Sequence, residues 1–121
     1  MKDMHFQIMN YKVWLQISYS ELDEPDLEYT LYNIDFILYE IKGKKILESF
    51  AEVFGDSAVI YAIDDTLSSV YRLLEIRITA INGGLKIIAN VYTVKTVIDL
   101  FNGNWRRKEP TETKVMEVRL S

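Results

Sequence analysis

The chain contains no cysteine, one histidine, two prolines and five glycines in its 121 residues. Without cysteine there are no disulfides, thiolate zinc sites, iron–sulfur clusters or cysteine nucleophiles. That lack also fits a reducing cytoplasm. A single histidine, His5, cannot form a histidine-rich metal site or a histidine pair, and its place near the end of the chain suits a surface or edge position. Three of the glycines fall in "NGG" (82–84) and "NGN" (102–104), which are not phosphate-cradling loops, and no GxxxxGK, GxGxxG or serine elbow is present. Asp64–Asp65 begins no calcium loop, because the glycine and glutamate such a loop needs are missing. No cofactor and no metal are expected.

Long apolar runs are also absent. The longest is "AVIYAI", Ala58–Ile63, far short of the ~20 residues that span a bilayer. The N-terminal "MKDMHFQIMNYK" is broken by polar residues and has no apolar core of signal-peptide type. The expectation is a soluble, cytoplasmic protein without a membrane partner.

Hydrophobic residues make up 49% of the chain and charged residues 26%, the balance of one folded domain covering 1–121. The formal charge of −4 hides an asymmetry. Residues 1–65 hold 13 acids and 5 bases, whereas residues 66–121 hold 5 acids and 9 bases. Unless folding interleaves the halves, the protein has an acidic end and a basic end.

Period and turn signals divide the chain. Val13, Leu15, Ile17 and Tyr19 alternate with polar residues, the pattern of a half-buried strand. Leu27, Leu31, Ile34, Leu38 and Ile41 recur at spacings of 4, 3, 4 and 3, which predict a helix. Asp23 would cap it and Lys42–Gly43–Lys44 would close it. A hairpin over "FILYEIKGKKIL" is the rival reading. "KILESFAEVFG" reads as a short helix. "DDTLSSVYRLL" reads as another, with Asp64, Asp65 and Thr66 as cap candidates. "EIRITAI" and "LKIIANVYTV" alternate around Asn82–Gly83–Gly84, the clearest hairpin in the chain. "TVIDLF" and "TKVMEVRL" complete a run of strands. The predicted fold is an α+β domain, with a mainly antiparallel sheet and two or three helices.

Two stretches carry candidate function. "SYSELDEPDLEYTLY" holds Glu21, Asp23, Glu24, Asp26 and Glu28 with no cation, flanked by Tyr19, Tyr29 and Tyr32. One or two acids suffice for a helix cap and dipole, each contributing about 0.3–1 kcal/mol. The remaining acids repel one another, and tyrosine is a frequent interface residue. The pattern points to a surface that meets a basic protein partner. The second stretch, Trp105, Arg106, Arg107 and Lys108, joins an indole to three cations and could stack a base and hold phosphates.

The leading expectation is therefore a non-catalytic binding module of inhibitor, immunity or antitoxin type that neutralises a basic enzyme such as a nuclease toxin. A nucleic-acid-binding module built on Trp105–Lys108 comes second. An enzyme working with carboxylates alone comes last.

Overall fold

The structure, a computed structural model, describes residues 1–43, 46–67 and 70–120. It is built almost wholly from antiparallel strands: β1 (Lys2–Ile8), β2 (Tyr11–Leu22), β3 (Leu31–Lys42), β4 (Ile46–Val53), β5 (Ser57–Leu67), β6 (Val70–Ile81), β7 (Gly84–Val94) and β8 (Glu112–Arg119). One short helix, α1 (Val97–Asn102), and a 3-10 turn at Asn104–Arg107 connect β7 to β8. The strands form two sheets, β1-β2-β3 and β4-β5-β6-β7-β8, each pairing sequence neighbours. Among the described residues no helix is long and apolar enough to cross a membrane.

Strand alternation builds the core. Tyr11, Val13, Leu15 and Ile17 of β2 face inward. Opposite them lie Ala58, Ile60 and Ala62 of β5, Leu74, Ile76 and Ile78 of β6, and Leu85, Ile87, Ala89 and Val91 of β7. The outer face of the larger sheet has a smaller apolar cluster of Leu73, Tyr92, Val94 and Trp105, with Leu100 of α1 against it. This cluster holds the β7–β8 connection onto the sheet.

The expectation of an α+β domain with two or three helices is overturned: the three predicted helices lie in strands and loops. Over residues 23–42 the chain forms a loop and then β3. A bulge explains the helical spacing. Ser18 pairs with Phe36 and Tyr19 with Ile34, so Asp35 has no partner. The inward set changes phase there, from Tyr32 and Ile34 to Ile37, Tyr39 and Ile41. Two strand periods offset by one residue imitate a period of 3.6.

"KILESFAEVFG" forms the edge strand β4, where apolar residues on both faces resemble a helical stripe. "DDTLSSVYRLL" crosses from β5 into β6. Asp64 is no cap but lies within β5, paired with Arg72. Lys44, Lys45, Ser68 and Ser69, which those predicted helices included, lie outside the described residues.

"TVIDLF" errs the other way, since it forms α1 rather than a strand. Thr96 caps α1, its Oγ1 accepting from the Asp99 amide at 3.1 Å and donating to Asp99 Oδ2 at 2.8 Å. Gly103 ends it at φ 73°. At 82–84 the chain turns as the alternation implies. Ile81 pairs with Gly84 across Asn82–Gly83, and Gly83 supplies the positive φ of 75°.

Candidate functional site: an acidic end

The β2–β3 loop, the β4–β5 turn and the β6–β7 turn gather at one end of the molecule. Asn82 Oδ1 accepts from the Thr30 amide at 3.1 Å, and the Gly83 amide donates to the Thr30 carbonyl at 2.9 Å. The Ile34 amide donates to the Gly55 carbonyl at 2.6 Å, and the Ala80 amide to the Asp56 carbonyl at 2.7 Å. These bonds tie the β2–β3 loop to the β6–β7 turn, and strands β3 and β6 to the β4–β5 turn. Asn82 thus has a positioning role beyond its turn conformation. The sequence carries no signal for the Thr30 contact, because 52 residues separate the partners.

The three connections hold Asp23, Glu24, Asp26, Glu28 and Asp56, all exposed, and no lysine or arginine. Glu21, at the end of β2, is exposed beside them. Arg119 ends β8 at the same end. Among the described residues, however, the ion pairs are Lys42–Glu40 and Arg77–Glu75, and neither involves these acids. The β7–β8 connection carries Lys95, Arg106, Arg107 and Lys108 together with Asp99 and Glu109. The acids of the N-terminal stretch thus stay clustered after folding, while the opposite connection is mixed in charge with a basic excess.

The tyrosines divide. Tyr29 is exposed in the loop, whereas Tyr32 is 4% exposed and belongs to the interior. Tyr19 packs edge-on against Tyr32, with ring centroids 5.5 Å apart. Tyr29 is the available contact residue, while Tyr19 and Tyr32 brace the base of the loop. Within the loop, the Leu27 amide donates to the Glu24 carbonyl at 3.2 Å across Pro25 and Asp26.

The alternative stretch is arranged less openly. Trp105 is 4% exposed, with Tyr92 at 5.0 Å and Tyr61 at 6.1 Å between ring centroids. The Arg106 guanidinium lies over the indole at 5.0 Å and donates to the Tyr61 hydroxyl at 3.4 Å. A stacking platform needs a bare ring face, and this indole is covered. Arg107 and Lys108 are exposed. Beside them a cleft of about 450 Å³ opens between α1, Trp105 and the outer face of β4–β6, lined mainly by apolar side chains.

Two buried carboxylates escaped the sequence reading. Asp64 is 1% exposed, and its Oδ2 accepts from the Tyr11 hydroxyl at 2.6 Å while Oδ1 has no partner among the described residues. Strand parity could have revealed it, since Asp64 continues the inward series Ala58, Ile60, Ala62. Glu75 is 2% exposed on the outer face of β6, where it meets Arg77 Nε at 3.2 Å and accepts from Asn90 Nδ2 at 3.3 Å. The hydrogen bond to Glu75, then its charge, holds the Arg77 guanidinium above its usual range. Burial, then the Glu75 charge, pushes the Tyr92 hydroxyl up.

Breaking such a pair in a sealed site costs about 3–5 kcal/mol. Arg77 is half-exposed, so water can replace part of its role. Arg77→Met is expected to lower stability by about 1–2 kcal/mol, and Glu75→Gln in that background to recover most of it. Chemical denaturation of the two variants checks this, and equal losses would show that no stranded charge is involved.

His5 is exposed on β1 beside Trp14 of β2. Among the described residues no three of the histidine, aspartate and glutamate side chains lie together in a group that could hold a metal ion. Compared with protein-family models, with curated proteins and with solved structures, the chain matches none of them.

Proposed function

We propose that the protein is a non-catalytic binding module that caps a basic protein, in the manner of an inhibitor or immunity protein acting on an enzyme such as a nuclease toxin. One observation carries the reading: five exposed acids on the β2–β3 loop and the β4–β5 turn at one end, with no lysine or arginine on those connections and no ion pair to them among the described residues. Like charges held together destabilise the free protein slightly, and a partner of opposite sign offsets that cost. The bonds of Thr30 to Asn82 and Gly83 anchor the end of the loop that carries four of the acids, which limits the ordering left to be done on binding. Tyr29, exposed on the same loop, adds an aromatic contact beside the acids. A nuclease has a cationic cleft for its substrate, and an acidic cap of this kind complements it. The nucleic-acid reading draws less support, because the indole of Trp105 is already stacked within the protein.

The test is affinity capture from the source cell on the immobilised chain, with and without nuclease digestion of the lysate. A basic protein retained in both arms, released by moderate salt, and inhibited by the added chain is the expected result. Retention that vanishes after digestion would transfer the function to Trp105–Lys108.

A further inference from the structure

Strand β4 is an exposed edge of the fold, touched by β3 where the Tyr39 hydroxyl donates to Ser49 Oγ at 3.2 Å. It pairs with β5 on one side and ends the sheet on the other. Every residue from Leu47 to Val53 is exposed. The opposite edge, β8, is different. Met116 and Val118 are half-buried against the core, and Lys114 Nζ donates to the Gln7 carbonyl of β1 at 3.1 Å. Edge strands are usually protected by lysine, proline or a covering element. Strand β4 has no lysine, no arginine and no proline.

Its register on β5 sorts the side chains. Glu48, Phe50 and Glu52 lie opposite Ile63, Tyr61 and Val59 on the outer face, where Phe50 and Tyr61 stack at 5.1 Å. Ser49, Ala51 and Val53 lie opposite Ala62, Ile60 and Ala58 on the inner face. Neither Glu48 nor Glu52 makes an ion pair among the described residues. Beyond Val53 the strand leads into the Phe54–Asp56 turn, and so into the acidic end.

We propose that β4 is the seat of an added strand. The partner supplies an extended segment with lysine or arginine facing Glu48 and Glu52, and with apolar side chains covering Ala51 and Val53. Backbone bonds to the open edge give affinity and the alternating side chains give choice. A second copy of β4 is a poor occupant, because it would add only acids to this face. The inference takes the sign of the partner's charge from the reading above and places its contact on a second surface.

The probe is a synthetic peptide of alternating lysine and valine, added to isotope-labelled protein. Hydrogen exchange is read by amide resonances. The amides of β4 are expected to gain roughly tenfold protection. A peptide with the same side chains but N-methylated backbone, and one with glutamate for lysine, should leave them unchanged. Glu48→Lys with Glu52→Lys should reverse the preference between the lysine and glutamate peptides. Both positions are exposed, and Glu52→Lys alone serves if the double variant folds poorly. The loop variant Glu21→Gln, Glu24→Gln, Glu28→Gln should keep the β4 protection, which separates this surface from the acidic end. Protection from the N-methylated peptide, shifts confined to residues 21–30, or a β4 already protected in a dimer of the free protein would each overturn the proposal.

Discussion

Tyr11→Phe is expected to lower stability by about 3–4 kcal/mol, a large loss for a single oxygen atom. Among the described residues the hydroxyl is the group that bonds Asp64, whose other oxygen has no partner among them. Both side chains are 1% exposed, so removing the donor strands a carboxylate away from water. Arg72 lies across the β5–β6 pair from Asp64 and is only half-buried. It can soften the loss without matching the lost bond. Gly43 packs close against the Tyr11 ring, where an added Cβ would lie 2.6 Å from it.

A loss of this size lowers the melting temperature by about 10–15 °C in a domain of this length. The double variant Tyr11→Phe, Asp64→Leu should be more stable than Tyr11→Phe, since it leaves no unpaired polar group. A single variant within about 1 kcal/mol of the parent would mean that Asp64 finds another partner.

The same pair sets an alkaline limit. Burial first, then the hydrogen bond and charge of Asp64, push the Tyr11 hydroxyl up, while Arg72 acts in the opposite sense. A group raised in the folded state contributes stability that is complete below its unfolded value, about 10 for tyrosine. It is lost as pH rises beyond that value toward the folded one. Denaturation midpoints should therefore fall above about pH 10 in the parent, and Tyr11→Phe should remove Tyr11's share of that fall.

Much of this architecture is written in the alternation of β2 and of the two segments around Asn82–Gly83. There each period-two pattern meets a turn that fits it. Sequence reading failed where two signals superposed. The bulge at Asp35 splices two strand phases, so Ile34 and Ile41 share a spacing that a helix would also give. On β4 the apolar residues face outward on both sides, so no alternation exists to be read. In "TVIDLF" the β-branched residues suggest a strand, yet the Thr96–Asp99 capping bonds decide for a helix turn.

The acidic stretch was legible as a charged cluster because it is local in sequence. Its framework was not, since Asn82, Gly83, Gly55 and Asp56 reach it only through the fold. Tyr32 likewise looked like a surface residue, because nothing local marks its inward phase.

The central claim is that the acids at this end act on a partner and not on the fold. Glu21, Glu24 and Glu28 are exposed and make no ion pair with any described residue. Changing all three to glutamine keeps side-chain volume and removes three like charges. Surface charges of this kind act mainly through long-range steering, which raises association rates by roughly 10–10³-fold at low salt. The direct measurement is stopped-flow association of the triple variant with the captured partner over a range of salt, beside its thermal unfolding. An unchanged or raised melting temperature, association slowed about tenfold at low salt, and a flatter salt dependence are the predicted results. A melting temperature several degrees lower, or association as fast and as salt-dependent as the parent's, would contradict the claim.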